Sequence, residues 1–129
     1  MARRKSPTLT DLELVIMQHI WREDETTVDA LVAALAEDQR PLTPQSIRTM
    51  LAILGDKGYV ARRRLGRGHA YRAAVPPEQA EKRILNDVVD RVFSGSASSL
   101  VAALVAQGLV GEEDLAEARR LIQERERDP

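Results

Sequence analysis

"LTPQSIRTMLAILGDKGYVARRRLGRGHAYR", residues 42–72, changes its period part-way along, and that change decides the fold. In the first half Ile47, Met50, Leu51 and Leu54 recur three and four apart, which places them on one arc of a helix. Gln45, Arg48, Thr49 and Ala52 fall on the opposite arc. Thr43 can cap this helix, and Pro44 suits its first position, where a missing N–H costs nothing. Gly55 and Gly58 close it. From Tyr59 the period becomes two: "YVARRRL" and "HAYRAAV" read as short strands around "GRG", a hairpin signal. Gly66 and Gly68 can supply positive φ for its turn, with Arg67 at the tip.

Two further helices precede this stretch. Thr10 with Glu13 three residues later forms a capping box, and Leu9 and Leu14 are placed for a hydrophobic staple. Leu12, Val15, Ile16, Ile20 and Trp21 follow at helical spacing. "REDETT", residues 22–27, is a polar turn whose Thr26 or Thr27 can cap a second helix with Val28, Leu31, Val32 and Leu35 on its apolar side. Three short helices and then a basic hairpin predict a winged helix-turn-helix domain over residues 1–75.

Beyond Pro76-Pro77 the chain predicts three more helices, a dimerisation domain over 76–129, in a mainly α protein. The candidate dimer contacts are Ile84, Leu85, Val88 and Val92, then Leu100, Val101 and Leu104, and finally Leu115, Leu121 and Ile122. A segment of about 54 residues buries only about 60% of its unfolded surface alone, so packing against a second copy completes its core. The competing expectation is that these helices fold back on the first domain.

Charge is informative by its distribution. The chain carries a formal -1, but residues 40–72 hold eight basic side chains against the single acid Asp56. Acidic flanks cancel a basic middle, and such a block attracts a polyanion locally. Absent cysteine excludes disulfides and thiolate metal sites. The start "MARRKSPTLT" has no apolar run after it, and no stretch approaches the roughly 18–20 apolar residues of a membrane span. The expected location is the cytoplasm, with no membrane partner.

Enzyme chemistry finds no constellation: His19 and His69 lack carboxylate or cysteine partners at ligand spacing, so no catalytic residue, metal site or cofactor is expected. Nucleic-acid binding has three contiguous features. The third helix exposes Gln45, Ser46, Arg48 and Thr49 next to its cap Thr43; Arg can donate in pairs to guanine and Gln to adenine. Its other face is apolar and can be held rigidly. The hairpin then offers Arg62, Arg63, Arg64, Arg67 and His69 to phosphates or a minor groove. A winged-helix module that binds an acidic protein is the competing class; an exposed apolar patch on the third helix would favour it.

These residues resemble the BlaI/MecI family of penicillinase repressors over roughly residues 9 to 126. The resemblance is carried by "LTDLELVIMQHIW", "TPQSIRTMLAILGDKGYV", "GRGHAYR", "SSLVAAL" and "EEDLAEARRLI". It implies a homodimeric repressor on a palindromic double-stranded operator, with Gln45, Ser46, Arg48 and Thr49 in the major groove. Ile53 stands where many relatives carry an arginine. A regulatory protease is also implied as a partner; Ala103-Leu104 occupies the place of the Asn-Phe bond cut in staphylococcal members. The cysteine cluster of copper-responsive relatives has no counterpart here.

Overall fold

A computed structural model describes residues 8–127; the basic start with Arg3, Arg4 and Lys5 lies outside them. The elements follow as α1 (Asp11–Arg22), α2 (Val28–Glu37), α3 (Pro44–Asp56), β1 (Val60–Leu65), β2 (Gly68–Ala73), α4 (Pro77–Val92), α5 (Ala97–Ala106) and α6 (Glu112–Arg127). They form a mostly helical winged-helix fold with one antiparallel hairpin, as the change of period predicts. No single helix among the described residues is long and apolar enough to cross a membrane.

The caps act where the residue types placed them. Thr10 Oγ1 accepts from the Glu13 amide, and the Glu13 carboxylate accepts from the Thr10 amide at 2.7 Å, a reciprocal capping box. Thr27, not Thr26, caps α2 through the Ala30 amide. Thr26 instead exchanges backbone bonds with Tyr71, at 2.9 and 2.8 Å, and so adds one rung to the outer edge of β2.

The chain divides into two compact units, the first reaching Asp87 and the second beginning at Val88. In the first, α1 buries Ile16, Met17 and Ile20, α2 buries Leu31 and Leu35, and α3 buries Ile47, Leu51 and Leu54. Tyr59, Val60, Tyr71, Val75 and Ala80 complete the cluster. Each full burial of an Ile, Leu or Met side chain contributes about 1.5–3 kcal/mol, so α3 is fastened along one whole face. The start of α4 belongs to this unit: Ala80 is buried, and the Arg83 guanidinium lies 4.9 Å from the centre of the Tyr59 ring. Trp21 Nε1 donates to the Val75 carbonyl at 2.9 Å, which ties the chain after the hairpin to α1.

Two glycine roles are sharper than the sequence reading. Gly55 lies within α3, and Gly58, at φ +83°, alone ends it. Gly58 N–H bonds the Gly55 carbonyl and Tyr59 N–H the Leu54 carbonyl, the paired bonds of a Schellman motif. At the hairpin Gly66 has φ +59°, whereas Gly68 has no positive φ and opens β2. A two-residue turn needs the left-handed conformation only at its first central residue when the second is Arg67 in an ordinary one.

In the second unit neither α5 nor α6 buries a residue completely. Ser96 caps α5, and α6 opens on Glu112, Glu113 and Asp114, which suit the positive end of a helix.

Candidate nucleic-acid interface

The N-terminal turn of α3 is a small hydroxyl network. Thr43 Oγ1 accepts from the Ser46 amide at 3.1 Å and donates to Ser46 Oγ at 3.0 Å. Thr49 Oγ1 donates back to the Gln45 carbonyl at 3.1 Å. Two hydroxyl protons are therefore used within the helix, and Ser46 keeps its own for a partner outside. Gln45, Ser46, Arg48 and Thr49 are all exposed, while Ile47 and Leu51 beneath them are buried. The outer face is polar except for Ala52 and Ile53, and Ile53 is only 39% exposed.

The hairpin continues this surface. Its register sets Arg62 opposite Tyr71, Arg63 opposite Ala70 and Arg64 opposite His69, with Leu65 and Gly68 flanking the turn. Successive strand residues point to opposite faces, and directly opposed residues share one. Arg62, Arg64 and His69 thus occupy one face, Arg63 and Arg72 the other. Between α3 and the hairpin runs a groove of about 840 Å³, and Arg48, Arg62, Arg67 and His69 all line it. Helix and hairpin residues separated by up to 21 positions so converge on one concave surface, where Arg48, Arg62 and Arg67 stand against Asp29 and Asp56 among mostly uncharged lining residues.

Arg63 stands apart from the other hairpin arginines. Its Nε and Nη2 donate to the two Glu25 carboxylate oxygens at 2.6 and 2.7 Å, a two-pronged ion pair. The Arg63 hydrogen bonds hold the Glu25 carboxyl below its ordinary range, with Arg72 adding to the attraction. This pairing was not visible from spacing, because Glu25 lies 38 residues earlier and reaches the hairpin only through the Thr26–Tyr71 rung.

The penicillinase repressor family model matches residues 9–124. The chain belongs to the penicillinase repressor family. A penicillinase repressor of Bacillus licheniformis is 22% identical over 121 residues, covering 94% of each chain. The methicillin resistance regulatory protein MecI of Mammaliicoccus sciuri is 21% identical over 118 residues, or 92% of this chain and 95% of that one. Among solved structures, the DNA-binding domain of the repressor BlaI superposes with a TM-score of 0.50 at 27% identity, covering 58% of this chain and 90% of that domain. Penicillinase repressors are DNA-binding regulators and not enzymes.

Two side chains have partners that the sequence did not announce. His19 has no carboxylate at ligand spacing in the sequence, and in the fold its Nε2 lies 2.7 Å from Oδ2 of Asp38, 19 residues on. Asp38 is the C-terminal cap of α2, brought over by the packing of α2 on α1. Sequence reasoning also missed Lys57. Its Nζ donates to Glu13 Oε1 at 2.9 Å and to the Thr8 carbonyl at 3.0 Å, which fastens the end of α3 to the start of α1. Burial alone would raise the Glu13 carboxyl; the bonds from Lys57 and Thr10 outweigh it and leave it below its ordinary value.

The apolar residues of the last three helices are only partly covered. Ile84, Val88, Leu100 and Leu104 are half-buried, and Leu85, Val92, Val101, Leu115, Leu121 and Ile122 are exposed. A large apolar side chain at more than half exposure, as at Leu121 and Ile122, is unusual when several such residues lie near one another.

Proposed function

We propose that the chain acts in the cytoplasm as a homodimer that occupies a palindromic operator and represses transcription there. In this reading α3 enters the major groove, where Arg48 and Gln45 meet base edges and Ser46 and Thr49 meet phosphate or base. The hairpin lies on the adjoining backbone through Arg62, Arg64 and Arg67, beside His69. The observation that carries the reading is the convergence of Arg48 with Arg62, Arg67 and His69 on one groove, beside the exposed polar turn of a helix whose other face is buried. Bidentate donors on a rigid helix read sequence, and arginines beside it supply affinity without choosing one. BlaI, whose DNA-binding domain shares this fold, is itself a repressor.

Dimerisation is supported by the exposed apolar residues of α4, α5 and α6. Two copies related by a two-fold axis present two α3 helices, which explains why the operator should be palindromic. A regulatory protease would complete such a system. The bond in the aligned place, Ala103-Leu104, lies inside α5, so a protease reaches it only after that helix opens.

The test is selection of duplexes from a random pool by the purified chain, followed by sequencing. The expected motif is two-fold symmetric, with half-sites about 10 base pairs or a multiple apart. A single asymmetric half-site would remove the dimer from the proposal, and no enrichment of any sequence would remove operator recognition.

A further inference from the structure

Not every arginine of the hairpin faces the same way, and the back of the hairpin has its own partner. Arg63 shares its face with Arg72, and Glu25 grips Arg63 there through two bonds of 2.6 and 2.7 Å. Glu25 is placed by its neighbour Thr26, whose backbone is bonded in both directions to Tyr71 of β2. Glu25 also lines a second concavity, with Glu23, Glu37 and Asp38, His19 and Arg22. Its four carboxylates outnumber its cation Arg22, even with Glu25 paired to Arg63 and Asp38 to His19, which makes it a poor place for phosphate. Among the described residues no ion pair holds Arg62, Arg64 or Arg67, and of the hairpin arginines only Arg62 and Arg67 line the groove beside α3.

We propose that Glu25 is a positioning residue for DNA binding: it clamps Arg63 and fixes the pitch of the hairpin, and Arg63 makes no phosphate contact. The inference rests on the repressor reading above. Its physical basis is leverage. β2 is buried at Ala70, opposite Arg63, and β1 is exposed at Leu65, two residues beyond, so the tip stands about 7 Å past the last buried rung at 3.4 Å per residue. A change of pitch at that rung therefore displaces Arg67 at the tip and can break a contact with a phosphate. The Thr26–Tyr71 rung holds one strand to the body; the Arg63–Glu25 fork holds the other.

The test uses the full chain, one duplex that the wild type selects from a random pool, and the variants E25Q, R63Q and E25Q/R63Q, with R62Q as the control for a phosphate contact. The readouts are affinity and the slope of log affinity against log salt. Each single change at the clamp is expected to weaken binding about two- to fivefold, the scale of a solvent-exposed pair, with the double variant no weaker than either single. The salt slope should stay at the wild-type value for all three, whereas R62Q flattens it by about 0.9 per protomer. A thermal melt of each variant confirms that the fold is intact. Tighter binding by E25Q would show that Glu25 competes with DNA for Arg63, and a slope flattened by R63Q would make Arg63 a phosphate contact; either overturns the proposal. Unchanged affinity in both singles also overturns it. If R62Q leaves the slope unchanged while the wild type binds, the placement of the groove face on DNA fails, a result distinct from failure of the clamp.

Discussion

Replacing Lys57 by methionine tests the ion pair that joins the two ends of the reading unit. Glu13 is 2% exposed and Lys57 11% at the side chain, so this pair is largely withdrawn from water. Methionine keeps an unbranched stem of similar reach but removes the charge, which strands a buried carboxylate. Breaking one side of a buried pair costs about 3–5 kcal/mol. The lower end, about 3 kcal/mol, applies here because the Thr10 amide still donates to Glu13 at 2.7 Å. A unit reaching residue 87 has a total stability of about 4–13 kcal/mol at 0.05–0.15 kcal/mol per residue, so the loss is a large fraction. At about 5 °C per kcal/mol, Tm should fall about 15 °C.

The double variant E13Q/K57M should recover much of that, since glutamine keeps the capping box and no charge is stranded. Acid weakens the effect. The folded-state carboxyl of Glu13 titrates below its ordinary 4.5, so its contribution in the wild type is present above that value and lost as pH falls through the lower folded one. The gap between wild type and K57M should therefore narrow on acidification. Urea and thermal unfolding followed by circular dichroism measure all three quantities. A loss below about 1 kcal/mol at neutral pH, the range of an exposed pair, would refute the reasoning.

Further expectations concern the interface and the dimer. Arg48→Ala should cost about 1–3 kcal/mol of affinity and relax the choice of base at one operator position, as read by competition among single-base variants of the selected duplex; uniform weakening would make it a phosphate contact. Arg67→Gln should flatten the salt slope by about 0.9 per protomer, and an unchanged slope would take the hairpin tip off the backbone. Thr43→Ala removes the cap of α3 and should lower stability by about 0.5–2 kcal/mol in denaturant titration. Leu121→Glu, at a side chain 52% exposed in the single chain, should shift sedimentation from dimer to monomer with little change in the melting of the first unit; a dimer that persists would place the interface elsewhere.

Much of the fold was legible because its signals are local. The capping box at Thr10 and Glu13, Pro44 after Thr43, and the change from period 3.6 to 2 at Tyr59 each act within a few residues. The exposed face of α3 followed from the same periodicity. What could not be read was whatever depends on distant partners. Glu13 declared its capping role, but nothing near it announced Lys57, 44 residues away. Asp38 lies 19 residues after His19, and only the packing of α2 on α1 sets it beside that ring. Thr26 and Thr27 are equivalent as cap candidates in sequence; only the edge of β2 separates them, taking Thr26 as a rung and leaving Thr27 to the helix.

The hairpin arginines show how the same principle bears on function. By composition Arg62, Arg63 and Arg64 are one run of positive charge, and composition would count all three toward DNA. The pleat separates them, because adjacent strand residues cannot share a face. Arg62 joins the groove with Arg48 and Arg67, while Arg63 meets Glu25, one of the four carboxylates of the second concavity. The acidic flank that made the chain look neutral on average therefore has a local use: through Glu25 it takes up a hairpin charge on the back of the domain. Net charge then measures solubility, and face-by-face charge measures what the surface can hold. A chain of formal charge -1 can present Arg48, Arg62 and Arg67 to a polyanion in one groove, because only two carboxylates, Asp29 and Asp56, line it.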